Sequence, residues 1–134
     1  MKNLIVSFSI FIFSSVAFAD KNMKIGSKGN ENEISRIIKV IMYDNYYEPS
    51  SFQINAGETI KFEVENAGDL VHEFNIANKM MHMKHQPEME KMFDNEILFS
   101  DYIDKEKMKK MAKMDKSMGH SHSNSVLLEP KQKG

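Results

Sequence analysis

The chain contains no cysteine and no tryptophan, and it has only 6 glycines and 3 prolines among its 134 residues. Without cysteine it cannot form a disulfide, a thiolate zinc site, an iron–sulfur cluster or a cysteine nucleophile. The scarcity of glycine and proline excludes collagen-like and proline-rich disordered sequences. Because 18 basic and 19 acidic residues nearly cancel, the net charge is −1 and we expect no nucleic-acid partner. A chain of this length is expected to form one domain.

The first residues have the pattern of an export signal. Lys2 is followed by the apolar run 4–16 and by the small-residue pattern Ala17-Phe18-Ala19. Residues 1–19 are therefore predicted to be a signal peptide that is cleaved after Ala19, which places the mature protein in the periplasm. The apolar run is shorter than the about 20 residues that a membrane-spanning helix needs, so we expect no stable membrane span after cleavage. An uncleaved membrane anchor is the alternative.

The residues that follow predict a flexible leader and then a set of β-strands. Residues 20–35 are rich in small, polar and charged side chains, which is typical of a leader with little to bury. The run 36–43 is apolar and β-branched, which indicates a strand buried on both sides, and residues 59–66 alternate as a half-buried strand does. Short strands are also predicted at 52–54, 70–76 and 126–128. Strands bounded by tight turns favour an antiparallel sandwich or barrel.

Methionine is the residue in excess. The chain has 12 methionines, and most of them lie between Met80 and Met118. Segment 79–123 is therefore predicted to be a Met/His-rich insertion with helical structure. The four residues Met108, Met111, Met114 and Met118 recur at helical spacing, and this stripe favours the buried face of an amphipathic helix over a metal site.

Three groups of side chains could bind a metal ion. They are His72 by itself, the segment with Met81, His82, Met83 and His85, and the pair His120 and His122. Thioethers favour Cu(I) and imidazoles accept Cu(I) or Cu(II), so the predicted cofactor is copper. Each group also has an alternative interpretation. His72 could be a core histidine bonded to a backbone carbonyl. The Met/His segment could be a methionine-rich surface that binds partners without specificity, and the histidine pair could lie in a solvated linker.

No arrangement of residues indicates an enzyme. A nucleophile elbow, a phosphate-binding glycine loop and a metalloprotease helix motif are all missing from the sequence. The carboxylates are scattered and define no acid/base pair. We therefore expect a binding protein without catalytic activity.

Several short motifs resemble the exported cupredoxin-like (plastocyanin-like) proteins associated with copper tolerance. The motifs are Tyr46-Tyr47-Glu48-Pro49, Gly57-Glu58-Thr59, Asn66-Ala67-Gly68, Val71-His72-Glu73-Phe74, the Met/His segment 81–85, and the stretch Asn124-Ser125-Val126-Leu127-Leu128-Glu129-Pro130. The resemblance extends from about Ile25 to Pro130. It implies an all-β, Greek-key β-sandwich that holds one copper ion through two histidines, a cysteine and a weak methionine.

The resemblance also implies how this chain departs from the family. His72 matches the first histidine of the copper set, whereas the other ligands lie in the family beyond the Leu-Glu-Pro motif. The cupredoxin-like domain, residues 36–130, is therefore expected to be truncated at its C-terminus, with an open sheet edge. Since a blue-copper centre depends on a thiolate, such a centre is excluded in a chain without cysteine.

The expected function is that of an exported protein that sequesters or delivers copper through Met/His sites. Its expected partners are copper ions and a copper-handling protein. The alternative is a vestigial β-domain, or interaction module, that binds no metal.

Overall fold

A computed structural model describes residues 25–134. The predicted signal peptide, 1–19, lies outside the described residues, as does the first part of the predicted leader, 20–24. Residues 25–35 are exposed and contain one 3-10 turn, Glu31–Glu33. Within residues 25–134, no helix combines the length and the apolar character that crossing a bilayer requires.

The strands form two small sheets. In the first sheet the order is β2-β1-β3, with β1 at Arg36–Met42, β2 at Tyr47–Glu48 and β3 at Ile60–Asn66. The second sheet is the antiparallel pair of β4, His72–Asn75, and β5, Ser125–Leu128. The strands predicted at 36–43, 59–66, 70–76 and 126–128 are confirmed, with small differences at their ends.

The pairing of β1 with β3 differs from the antiparallel arrangement that the sequence predicted. The two strands are parallel, in register from Arg36 opposite Ile60 to Met42 opposite Asn66. The connection between them carries the chain back to the end of the sheet where β1 began, and β2 in that connection pairs antiparallel with β1. The prediction of a wholly antiparallel sheet was therefore wrong at this pair.

The strand predicted at 52–54 is also wrong, because these residues have no strand hydrogen bonding. The carbonyl of Gln53 accepts a hydrogen bond from the Arg36 side chain at 2.7 Å. The ring of Phe52 packs 5.4 Å from that of Phe62 and 6.5 Å from that of Phe74. The apolar residues of this loop thus cover the core with their side chains instead of extending a sheet.

Side chains from both sheets meet in one core. Its buried members are Ile38, Val40, Met42, Val64 and Leu128, with Phe62, Phe74 and Val126 packed against them. The opposite face of β1 is exposed at Ile37 and Lys39. Burial of β1 on both sides, as its apolar run predicted, was therefore wrong: β1 is buried on one face.

The last residues of the chain pair with β3. Val64 and Gly134 exchange two backbone hydrogen bonds of 2.9 Å, and the Asn66 amide donates to the Gln132 carbonyl at 2.9 Å. Lys133 and Glu65 form an antiparallel bridge between these two pairs. The sequence predicted an open sheet edge without assigning it to a strand, and in the structure β3 is hydrogen-bonded to these last residues along 64–66.

Two helices and a 3-10 turn lie between β4 and β5. They are α1 at Lys79–Asp94, α2 at Lys105–Ala112 and the turn at Lys116–Gly119. Each helix begins at a side-chain cap, since Asn78 accepts from the Met81 amide at 2.9 Å and Asp104 from the Lys107 amide at 2.8 Å.

The methionines of this region build a second core. Met92, Ile97 and Met118 are buried there, and Met108 and Met111 pack against them. The predicted packing role of the methionine stripe is therefore confirmed, except at Met114, which is 72% exposed. The stripe continues past the end of α2 into the 3-10 turn.

Candidate metal site

Three of the predicted ligands, His85, His120 and His122, lie together. One ring nitrogen of each lies within 4.8 Å of those of the other two. The ring centroids are 5.0, 5.1 and 5.2 Å apart, so the imidazoles form a nearly regular triangle. Three nitrogens placed evenly around one ion at about 2.0–2.1 Å are about 3.6 Å apart. The three rings therefore need to approach one another by up to about 1.2 Å to bind a single ion.

The pairing of β4 with β5 brings these histidines together. Asn75 lies opposite Ser125 in the register, and the Ile76 amide donates to the Asn124 carbonyl at 2.9 Å. The Asn124 side chain in turn donates to the Ile76 carbonyl at 3.0 Å. The segment that leads into α1 is thereby fastened to the segment that carries His120 and His122, and His85 lies in the second turn of α1.

Two carboxylates hold the three rings. Glu73 Oε2 accepts a hydrogen bond from His85 Nε2 at 2.9 Å, and Glu73 Oε1 lies 3.2 Å from His120 Nε2. Glu88 Oε2 accepts from His122 Nε2 at 2.9 Å and lies 3.5 Å from His85 Nδ1. A carboxylate on one imidazole nitrogen orients the ring and leaves the other nitrogen for a metal. In all three rings Nε2 faces a carboxylate, which leaves Nδ1 of His120 and of His122 for a metal, whereas Nδ1 of His85 also lies near Glu88.

The site is mostly screened from solvent. The exposed side-chain fractions are 10% for His85, 4% for His120, 15% for Glu73 and 32% for His122. Neither ring nitrogen of His120 makes a well-aligned hydrogen bond, although both are buried. Since Glu73 lies beside Nε2, Nδ1 is the nitrogen of His120 that is buried without a partner, which is costly, and a bound metal ion would supply that partner.

The backbone at His120 is also unusual. This residue follows Gly119 with φ 43° and ψ 49°, in the left-handed region. Residues other than glycine rarely adopt this conformation, and such strain concentrates at binding and catalytic sites. Glu96 and Lys131, which lie outside the cluster, also have positive φ values, so the backbone of His120 does not by itself indicate a binding site.

Glu73 is held in its charged form. Its burial alone would raise the pKa, but the polar contacts of His120, His85 and Ser125 lower it to about 2. Glu73 is therefore a carboxylate at neutral pH, within contact distance of two histidines.

His72 lies on the opposite face of β4 from Glu73. Its Nε2 donates to Asp44 Oδ1 at 2.9 Å, and the same carboxylate accepts from the amides of Asp69 and Leu70. The hydrogen bond from His72 contributes most to lowering the pKa of Asp44. His72 is thus outside the three-histidine cluster, and its partner is a carboxylate rather than the backbone carbonyl considered above.

The other predicted ligands share α1 with His85 but point in different directions. At 100° per residue, Met81 lies on the same face as His85, whereas Met83 lies nearly opposite. Met83 is 61% exposed, and His82 is also exposed. The structure therefore does not bring Met81, His82, Met83 and His85 to one point.

The two glutamates were not singled out from the sequence. Glu88 follows His85 by three residues, and side chains three residues apart are neighbours on a helix. A helical interpretation of this segment would therefore have predicted their contact. The contacts of Glu73 depend on chain segments that are distant in sequence, so no local pattern could have indicated them.

Comparison with known proteins identifies the class. The family model of the cupredoxin-like domain matches residues 4–100, and the chain belongs to this family. The resemblance stated from the sequence motifs is thereby confirmed. The matched range includes His72 and His85 but ends before His120 and His122.

The chain is also similar to two copper-resistance proteins. It is 36% identical to the copper-resistant cuproprotein CopI of Pseudomonas aeruginosa over 142 residues, covering 96% of this chain and 74% of that protein. It is 29% identical to the copper-resistant cuproprotein CopI of Rubrivivax gelatinosus over 76 residues, covering 56% of this chain and 46% of that protein. No solved structure matches the chain.

Proposed function

We propose that this protein is an exported, periplasmic copper-binding protein that sequesters copper or delivers it to a copper-handling partner, without catalysis. The observation that carries the proposal is the cluster of His85, His120 and His122, with the buried nitrogens of His120 lacking aligned hydrogen bonds. Copper is the chosen metal because imidazoles bind Cu(II) more tightly than the other divalent first-row metals. The names of both relatives, which concern copper resistance, point to the same metal.

The proposed architecture is a cupredoxin-like Greek-key β-sandwich over residues 36–130. In its support, β1, β3 and β5 contribute to one core although they belong to two sheets. The proposed Met/His-rich insertion, 79–123, contains both helices and all three clustered histidines. The insertion thus supplies the copper site, and the sandwich supplies Glu73, which holds it.

The proposed copper chemistry involves no thiolate. This chain has no cysteine, so it cannot form the copper–thiolate bond of a blue-copper centre. His72 remains a candidate for a separate, weaker site, because its contact with Asp44 uses only Nε2.

Copper titration of histidine variants tests the site. We expect one tightly bound copper ion per chain in the unaltered protein, and loss of this ion in His85→Ala and in His120→Ala. His82→Ala is the matched control, since His82 lies exposed on the same helix, and it should retain the copper. Undiminished binding in His120→Ala would contradict the proposed site.

Cell fractionation tests the export. Expression of the full chain should yield a periplasmic product shortened by the 19 predicted signal residues, as read by mass spectrometry. A full-length product in the cytoplasmic fraction would contradict the proposed location.

A further inference from the structure

We infer that the three-histidine site takes copper as Cu(II), and that Glu73 and Glu88 provide the negative charge that selects the divalent ion. This inference rests on the proposed function of the same site, and it names the oxidation state of the copper. It differs from what the methionine content of the sequence favours, because thioethers prefer Cu(I).

The first support is the charge at the site. Imidazoles bind a metal ion in their neutral form and then contribute no charge, whereas the two carboxylates contribute −2. Both carboxylates lie in contact with the rings, at 2.9 Å for Glu73 to His85 and for Glu88 to His122. A net −2 is neutralised by a divalent cation and only half neutralised by a monovalent one. The attraction is strengthened because Glu73 is largely shielded from water.

The second support is the use of the nearby sulfur atoms. Met118, two residues before His120, is buried in the second core, and Met89 packs against that core. Met83 is exposed and lies on the far side of α1. Met81 is the thioether of α1 that shares the His85 face without belonging to this core, so it is the residue to test as a Cu(I) ligand.

The third support is the orientation of the rings. Glu73 contacts Nε2 of His120 and Glu88 contacts Nε2 of His122, whereas His85 faces Glu73 with Nε2 and Glu88 with Nδ1. In His120 and His122, therefore, the nitrogen opposite the carboxylate is available to a metal. A carboxylate bonded to an imidazole N–H makes the other nitrogen more basic. A more basic nitrogen donor stabilises Cu(II) relative to Cu(I), since Cu(I) favours soft ligands.

The experiment measures the affinities of the full chain for both oxidation states. Competition with chelators specific for Cu(II) or for Cu(I) gives the two dissociation constants, and voltammetry gives the potential of the bound copper. We expect Glu88→Gln to weaken Cu(II) binding by about tenfold or more and Cu(I) binding by clearly less. Each tenfold of selective loss raises the potential by about 59 mV.

Two further variants complete the design. Glu90→Gln is the matched control, because Glu90 is exposed on the same helix, and it should change neither affinity. Met81→Leu keeps the volume and removes the sulfur, and it should also change neither affinity. Glu73→Gln should act as Glu88→Gln does, and thermal unfolding monitored by circular dichroism verifies that each variant is folded.

The outcomes separate the inference from the proposed function. Equal weakening of Cu(I) and Cu(II) by Glu88→Gln would overturn the selection of Cu(II) by charge. A selective loss of Cu(I) binding in Met81→Leu, with Glu88→Gln inert, would overturn it in favour of a thioether site. If His85→Ala left both affinities unchanged, the three-histidine site itself would be wrong.

Discussion

His85 Nε2 donates a hydrogen bond of 2.9 Å to Glu73 Oε2, and this bond fastens helix α1 to strand β4. Glu73 alternates along β4 with His72, which bonds to Asp44 on the other face. His72 and Glu73 therefore point to opposite faces of β4. His72 contacts Asp44 within the β-sheet framework, whereas Glu73 contacts the cluster of His85, His120 and His122.

The colour of the copper-loaded protein follows from the composition. Because this chain has no cysteine, its Cu(II) form should lack the intense absorption that copper–thiolate bonds give in the red part of the visible spectrum. Visible spectroscopy of the loaded protein should show only weak bands, and an intense blue colour would contradict nitrogen-based binding.

Glu129, which lies outside the candidate site, should contribute to stability in a pH-dependent way. Glu129 accepts hydrogen bonds from the Ile103 amide at 2.9 Å and from the Gln132 side chain at 2.7 Å, and it is paired with Lys105. The Lys105 contact contributes most to lowering its pKa below the usual 4.5. Glu129→Gln should therefore lower the free energy of unfolding by about 1–2 kcal/mol at neutral pH.

The pH dependence of this effect has a definite sign. Since the pKa of Glu129 is lower in the folded protein, its stabilisation is present above pH 4.5 and is lost as the pH falls below that value. The stability difference between the unaltered protein and Glu129→Gln should thus shrink below pH 4.5 in urea titrations. A difference that grows on acidification would contradict the assigned contacts.

The methionines should separate into packing and surface residues. Met92 is fully buried in the second core, so Met92→Ala should cost about 2–5 kcal/mol. Met108→Ala and Met111→Ala should also mainly reduce stability, because both side chains pack against this core. Met83→Ala, at an exposed position, should change the free energy of unfolding by less than about 0.5 kcal/mol. Urea unfolding measures all four, and equal costs for Met92 and Met83 would contradict the placement of α1.

The contact between Asp44 and His72 should be sensitive to Gly68. A Cβ atom at Gly68 would lie 2.1 Å from Asp44 Oδ1 and 3.0 Å from His72 Nε2. Gly68→Ala should therefore displace this pair and lower stability by about 1–3 kcal/mol. Because His72 lies outside the three-histidine cluster, the copper stoichiometry should not change, and loss of copper in this variant would make His72 a ligand.

The β-strands of the fold were largely readable from the sequence, because burial on one face leaves a local trace. The alternation of Ile60, Phe62 and Val64 predicted β3, and the same rule correctly separated Phe74 from Glu73 on β4. The parallel pairing of β1 with β3 was not readable, since it depends on the path of the connection rather than on the composition of either strand.

The residue types of the candidate site were readable from the sequence, whereas their spatial grouping was not. Met83 does not lie beside His85 because the segment is a helix, in which residues two apart point about 200° apart around the axis. The approach of His85 to His120 and His122 follows from the register of β4 with β5, which no local pattern contains. Residue chemistry suggested copper as a hypothesis, and tertiary structure determines which of the histidines lie together.

A crystal structure of the copper-loaded protein, with anomalous scattering measured at the copper edge, tests the central proposal most directly. We expect one anomalous peak among His85, His120 and His122, at about 2.0–2.1 Å from one nitrogen of each ring. A peak at His72, with none among these three rings, would contradict the proposed site.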